Sequence, residues 1–258
     1  MLPEIEKIKK QILDTFKNVS EDYSMFHFLD GINRMVHPPH VANMRKSVKA
    51  MGVLRPVVIA SLSFITDSVA DYIIDAQHLF YVLKSLELPI PYIRIEAKSK
   101  RELIEKMAFL NNSSKPWQPK DYVTAWSVVE PDYLKLIRLR KEFGLPYYSI
   151  TMLAINNSDR RRMKSIINRG DFKITNEHFP FLIKEVVRLL DIADARIIKR
   201  VPDRFVSAFL EHYNSVEVYD PKFAEKRVKK YKDIIVTVIS DELENLLKTV
   251  VFGNHNNS

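Results

Sequence analysis

Residues 72–86 read Tyr-Ile-Ile-Asp-Ala-Gln-His-Leu-Phe-Tyr-Val-Leu-Lys-Ser-Leu and carry the clearest secondary-structure pattern of the chain. Its first three residues are aromatic or β-branched, which favours a buried strand. Apolar residues then recur at the i, i+3, i+4 and i+7 spacing of one helix face: Leu79, Val82, Leu83 and Leu86. The pattern therefore predicts a strand, a tight polar turn and an amphipathic helix.

The turn, from Asp75 to His78, concentrates polar side chains where the predicted helix begins. We expect Asp75 to cap this helix, because the free N–H groups and the dipole at a helix N-terminus favour an anion. The same arrangement is a common place for a phosphate or a substrate. Two interpretations are therefore open: a capped strand–helix joint with a surface His78, or a ligand site.

Two further stretches extend the pattern. Residues 45–59 predict a helix that ends at Gly52, followed by a strand led by Pro56. Residues 111–115 read Asn-Asn-Ser-Ser-Lys and precede another helix. In this order and spacing the three stretches resemble the N-terminal domain of the ParB/sulfiredoxin superfamily. That domain has a Pro-led strand, then a strand ending in Asp-Gly-Gln-His-Arg or Gly-Glu-Arg-Arg, then Glu-Asn-x-x-Arg, and the resemblance covers about residues 30–175.

Two residues depart from the family's pattern. Ala76 stands where the family has Gly, and it disfavours the positive φ that Gly adopts freely. Leu79 stands where the family has the Arg that holds nucleotide phosphates, and Leu cannot donate a hydrogen bond. The chain has no Cys, which excludes the Cys-dependent reduction of the sulfiredoxins. The resemblance therefore implies a degenerate or altered pocket, with weak or absent binding of nucleoside triphosphates.

The composition suits a mostly helical globular protein, with 258 residues, 46% of them hydrophobic, 28% charged and only 5 glycines. The lack of Cys excludes disulfides, thiol catalysis and Cys-ligated zinc, and it fits a reducing compartment. The first residues do not resemble a signal peptide, and no apolar run is long enough to span a bilayer. We therefore expect a cytoplasmic protein with no membrane partner.

The positive charge is concentrated in one segment. The net charge of the chain is +8, and residues 134–173 alone carry ten basic and three acidic side chains, a net charge of +7. A localised basic segment is typical of a nucleic-acid interface. We therefore expect DNA to be the partner.

The same segment predicts a helix–turn–helix. Residues 149–155 and 159–168 are helix candidates joined by a turn at 156–158, with Ser158 as the N-cap and Gly170 as the terminator. The side chains expected to reach DNA lie in the turn and on the second helix: Asn156, Asn157, Arg160, Arg161, Arg162, Lys164 and Arg169. An ordinary helical hairpin with a solvated Arg cluster is the alternative interpretation.

These patterns predict an α+β protein, with a small mixed α/β ParB/sulfiredoxin-like domain followed by an all-helical C-terminal domain. The expected segments are an N-terminal helix and linker at 1–24, the α/β domain at 25–110, a helical domain at 119–175 and a helical region at 176–258. Residues 234–251 predict a long apolar helix. This helix either packs inside the protein or pairs with a second copy to form a homodimer.

Three functions are compatible with these features. The first is a DNA-binding, ParB-like protein of a phage or mobile element. The second is an enzyme, a nuclease, NTPase or kinase, in which Asp75 and His78 act as base and acid or as metal ligands. A nucleotide with Mg would then be held by residues of the turn and of the third stretch: Gln77, Asn111, Asn112 and Lys115. The third is a non-catalytic scaffold that uses the fold only as a shape.

We expect no metal site. His37 and His40 invite a metal, but Pro38 and Pro39 lie between them and no carboxylate is near in the sequence. The start of a helix, followed by a surface His, is the favoured interpretation of these residues.

Overall fold

The computed structural model describes residues 3–29, 31–33, 36–61, 70–111, 117–238 and 242–253. The protein is α+β, as the sequence predicts. The chain divides into two compact units, Met1–Asp121 and Tyr122–Ser258. The finer division into four segments stays a prediction.

The described part of the first unit contains a five-stranded sheet. Its strands are β1 (Val19–Ser20), β2 (Phe26–His27), β3 (Val57–Ser61), β4 (Asp71–Asp75) and β5 (Ile90–Glu96). Their spatial order is β1-β5-β3-β4-β2. β3 pairs antiparallel with β4 and parallel with β5, so the three longer strands form the centre of the sheet.

The helices of the first unit are α1 (Pro3–Thr15), α2 (Pro38–Met51), α3 (Gln77–Ser85) and α4 (Lys100–Asn111). The predicted strand–turn–helix is confirmed, because β4 leads through Ala76 into α3. The apolar face of α3 joins the core that includes the sheet residues Ile59 and Ile73. That face contains Leu79, which is only 4% exposed.

Helix α5 (Pro119–Trp126) crosses the boundary between the units, and the described regular elements that follow are all helical. They are α6 (Pro131–Phe143), α7 (Tyr147–Ile155), α8 (Arg160–Arg169), α9 (Phe179–Ile192), α10 (Val201–Ser215), α11 (Pro221–Lys230), α12 (Lys232–Thr237), α13 (Glu242–Leu246) and a π-helical turn (Leu247–Val251). No helix in the described part of the chain combines the length and the apolar character needed to cross a bilayer.

The predicted long helix over residues 234–251 is wrong. Helix α12 ends at Thr237 because Val238 has extended backbone angles, with φ −83° and ψ 90°. Residues 239–241 lie outside the described residues. The fully buried residues on either side of them, Ile235, Leu243, Leu247 and Val251, belong to separate helical segments. A homodimer through this helix therefore loses the continuous apolar stripe on which the prediction rested.

Candidate nucleic-acid interface and strand–helix turn

Helices α7 and α8 are joined by a short turn and differ sharply in burial. α7 is almost entirely apolar and lies inside the second unit, in contact with α6, α8, α9 and α10. α8 buries only Met163 and Ile167. The inner helix therefore carries α8 on the surface of the unit, which is the arrangement that a helix–turn–helix requires.

The N-cap of α8 is Asp159, so the prediction of Ser158 is wrong by one residue. Asp159 Oδ1 accepts hydrogen bonds from the backbone N–H groups of Arg161 at 2.8 Å and Arg162 at 3.2 Å. The carbonyl oxygen of Ser158 instead accepts a hydrogen bond from the Ser207 hydroxyl at 3.2 Å. Both Ser and Asp are good caps, so the local sequence does not decide between two adjacent candidates.

The terminator of α8 is Gly170, as predicted. Gly170 adopts φ +80°. A Cβ built there would lie 2.8 Å from a ring carbon of Trp126. Glycine is therefore required at this position for two reasons: the left-handed backbone and the close approach of an indole ring.

Helix α10 fixes the turn between α7 and α8. Asn156, which ends α7 in the left-handed conformation, exchanges two amide hydrogen bonds of 3.1 Å with Asn214. Arg160 Nη2 lies 3.5 Å from Asp203 Oδ2, and the Asp203 side chain is only 8% exposed. Asp203 Oδ1 also accepts a hydrogen bond from the Ser149 hydroxyl at 2.7 Å. The side chains of Asn156 and Arg160, both expected at the DNA interface, are thus held by contacts within the unit.

The α10 residues that brace the turn were missed by sequence reasoning. Asp203, Ser207 and Asn214 occupy positions i, i+4 and i+11, which lie on one face of a helix. The signal available in the sequence is a row of polar residues at helical spacing within an apolar helix. Nothing local indicates that this row faces residues 156–160.

The outward face of α8 carries cations without acidic partners. Arg161, Arg162 and Lys164 are exposed, and no carboxylate in the described part of the chain pairs with them. The helical period directs Arg161 and Arg162 away from Met163 and Ile167, whereas Lys164 lies at the edge of the buried face. Phosphate groups would therefore meet positive charge that is already free of internal partners.

The remaining predicted DNA residues lie at the two ends of this surface. Arg169 is exposed in the last turn of α8. Asn157 is half-buried in the turn, and its Oδ1 accepts a hydrogen bond from the N–H of Asp159 at 2.9 Å. Asn157 therefore helps to shape the turn that presents α8.

The strand–helix turn differs from its predicted form. Asp75 still belongs to β4, where it pairs with Val58, so α3 begins one residue later than an Asp75 cap requires. The residue at the N-cap is Ala76, which makes no side-chain hydrogen bond to the helix. The predicted capping role of Asp75 is therefore wrong. Its carboxylate instead lies 3.4 Å from Arg55 Nη1, with the side chain 11% exposed.

Ala76 adopts the conformation that its side chain disfavours. Its φ is +63° and its ψ is 31°, the left-handed region that Gly enters freely. The turn thus keeps the backbone shape that the family's Gly would give, although the residue is Ala. The buried strand and helix on either side fix this shape.

His78 joins the beginnings of two helices. Its Nε2 accepts a hydrogen bond from the backbone N–H of His37, the N-cap of α2, at 3.3 Å. Its ring meets that of His40 edge-on, with the centroids 4.7 Å apart. Among the described residues, no group of three or more His, Cys, Asp or Glu side chains is placed to hold a metal ion. In these contacts His78 meets the start of α2, whereas Asp75 pairs with Arg55.

The predicted nucleotide-binding residues are only partly described. Gln77 is the first residue of α3 and is 8% exposed. Asn111 ends α4, but its side chain, like Asn112 and Lys115, lies outside the described residues. Leu79, at the position of the family's phosphate-binding Arg, packs in the core of the first unit. The structure describes both departures: Ala76 keeps the left-handed turn, whereas the buried Leu79 offers no donor to a phosphate.

Comparison with known proteins assigns no family. The sequence matches no protein-family model. A search of curated proteins finds no match either. The function must therefore be argued from the two sites themselves.

Proposed function

We propose that this protein binds double-stranded DNA through α7, the turn and α8, with α8 entering the major groove. The observation that carries the proposal is the solvent-exposed surface of α8, where Arg161, Arg162 and Lys164 have no acidic partner among the described residues. Positive charge held on one face of a surface helix attracts the phosphate backbone. A solvated Arg cluster with no ligand remains the alternative, and the salt experiment below separates the two.

The positions of the basic residues along α8 predict two kinds of DNA contact. Arg161 and Arg162 lie in the first turn, where residues of a recognition helix contact base edges. An Arg can bind guanine O6 and N7 with two hydrogen bonds. Lys164 and Arg169 lie farther along the helix and are suited to phosphate contacts, which set affinity and register without reading sequence.

We also propose that the first unit is a ParB/sulfiredoxin-like domain with an altered pocket. Supporting features are β4, the left-handed turn and α3, together with α2 ending at Gly52 before β3. The enzyme alternative receives no such support, because Leu79 is in the core and Asp75 pairs with Arg55. Calorimetry with CTP and ATP plus magnesium tests this, and we expect weak or absent binding. Low-micromolar binding of either nucleotide would favour the enzyme hypothesis instead.

The DNA proposal is tested by the salt dependence of binding. Fluorescence anisotropy of a labelled duplex is measured between about 50 and 200 mM salt, and the slope of log K against log salt gives the number of phosphates neutralised. The test variant replaces Arg161, Arg162 and Lys164 with Ala. Each lost phosphate contact should reduce the slope by about 0.9. Of the three residues, Lys164 is the proposed phosphate contact, so we expect the slope to fall by at least this amount.

A matched control removes the same charge elsewhere on the second unit. Lys184, Lys222 and Lys226 are exposed on α9 and α11, and no acidic side chain in the described ranges pairs with them. Replacing these three with Ala should leave most of the slope in place. A flat salt response of the unaltered protein, or equal losses in both triple variants, would refute the proposed interface.

A further inference from the structure

A groove between α2 and α3 has no role in the DNA-binding proposal. Its volume is about 640 Å³. Its apolar lining includes Val41, Ala42 and Tyr81. Its basic lining consists of Arg45, Lys46 and Lys49, all exposed on α2. The groove therefore combines an apolar surface with positive charge along one helix.

The positive charge of the groove has no acidic partner within the described structure. α2 contains no Asp or Glu, and the described residues that line the groove include no acidic side chain. Arg45 Nη2 donates to the Ser85 hydroxyl of α3 at 2.6 Å, which fixes the guanidinium beside the groove. Arg45 and Lys49 are four residues apart, and Lys46 and Lys49 are three apart, so like charges are neighbours on this helix. Such pairs weaken a helix slightly, and an acidic ligand would relieve the repulsion.

We propose that this groove binds an acidic amphipathic helix of a partner protein. Apolar side chains at i, i+3 or i+4 and i+7 of such a helix would enter the groove, in the helix-in-groove mode of recognition. Its Glu or Asp side chains would face Lys46 and Lys49 at the rim, where charge complementarity raises the association rate and selects the partner. Nucleic acid complements the charge but not the apolar surface, so the observations favour a peptide.

The binding test uses a defined probe. A fluorescein-labelled peptide of about 18 residues carries Leu on one helical face and Glu on the other faces, enough to form an amphipathic helix. Its anisotropy is titrated with the full chain. We expect saturable binding that weakens with salt, and a scrambled peptide of the same composition should bind about tenfold more weakly or worse, because it has no continuous apolar face.

Two variants address charge and shape separately. Lys46→Glu with Lys49→Glu replaces attraction by repulsion and should weaken peptide binding by about tenfold or more. Ala42→Trp fills the apolar surface without changing charge, and it should weaken binding to a similar degree. The control is Lys7→Glu with Lys10→Glu, two exposed positions of α1 that do not line the groove and that should leave binding unchanged.

Circular dichroism first verifies that each variant is folded, so that a change in peptide binding reports on the groove. Loss of peptide binding in both groove variants, with the α1 control intact, supports the proposal. Equal binding of the scrambled peptide, or an unaffected Ala42→Trp variant, would overturn it, since the groove shape would then play no part. Duplex DNA displacing the peptide, with its own binding lost in the groove variants, would also overturn it and assign the surface to nucleic acid.

Discussion

The N-cap of α8 offers the sharpest test of how this helix is built and presented. Asp159 accepts two backbone hydrogen bonds, from Arg161 and Arg162. Replacing an N-cap Asp with Ala costs about 1 kcal/mol, within a range of about 0.5–2 kcal/mol. The carboxylate also faces the positive end of the helix dipole, which adds about 0.3–1 kcal/mol. We therefore expect Asp159→Ala to lower the free energy of unfolding by about 1.5 kcal/mol.

The Asn variant separates the cap from the charge. Asn caps as well as Asp but carries no charge, so Asp159→Asn should lose only the dipole contribution of about 0.3–1 kcal/mol. The order of stability should be wild type, Asn, then Ala. Urea unfolding followed by circular dichroism measures all three, with m-values compared to verify that the transitions are alike.

Removing the charge of Asp159 should strengthen DNA binding, although it lowers stability. Asp159 adjoins the first turn of α8, so its carboxylate would repel phosphates brought close to Arg161 and Arg162. Asp159→Asn should therefore bind a duplex several-fold more tightly in anisotropy at fixed low salt, although it is slightly less stable.

Two results would refute this reasoning. If the Ala variant is as stable as wild type, the two hydrogen bonds of Asp159 contribute nothing. If Asp159→Asn binds DNA tenfold more weakly, the carboxylate contacts a base directly, for example the cytosine amino group, and is not merely repelled by phosphate.

Three further changes test the scaffold. Ala76→Gly should alter stability by less than about 1 kcal/mol, because relief of left-handed strain is offset by the greater freedom of the unfolded chain and the loss of a buried methyl group; urea unfolding measures this. Burial raises the pKa of Asp71, but the hydrogen bonds from Arg94 and Ser61 and the positive charge of Arg94 together outweigh it, so the pKa lies below its ordinary value. The unfolded state therefore takes up the proton first, and Asp71→Asn should cost stability near neutral pH but less as the pH falls below about 4, in unfolding curves recorded across pH. Gly170→Ala should lower the free energy of unfolding by roughly 2–5 kcal/mol, because of backbone strain and the clash with Trp126, and urea unfolding measures this loss.

The strand–turn–helix was predictable because its signals are local. Three strand-forming residues are followed by Leu79, Val82 and Leu83 at helical spacing, and all three leucine and valine side chains are buried. The period of a pattern reports which face meets the core without reference to the rest of the chain.

Other elements depend on partners distant in sequence. The predicted N-terminal helix and linker at 1–24 also contains β1, because Val19 and Ser20 pair with β5. Residues 234–251 looked like one helix, yet the backbone leaves the helical region at Val238. In both cases the local sequence allows two outcomes, and tertiary packing selects between them.

In the candidate DNA site, the role of a single side chain also depends on a partner that is distant in the sequence. Arg160, Arg161 and Arg162 are indistinguishable by composition, and the sequence assigned all three to DNA. Asp203 lies more than forty residues away, and its buried carboxylate holds Arg160 against α10. Such a carboxylate needs a partner, since an unpaired buried charge is costly. Arg160 therefore positions α8, and the proposed DNA contacts of the arginine cluster fall to Arg161 and Arg162.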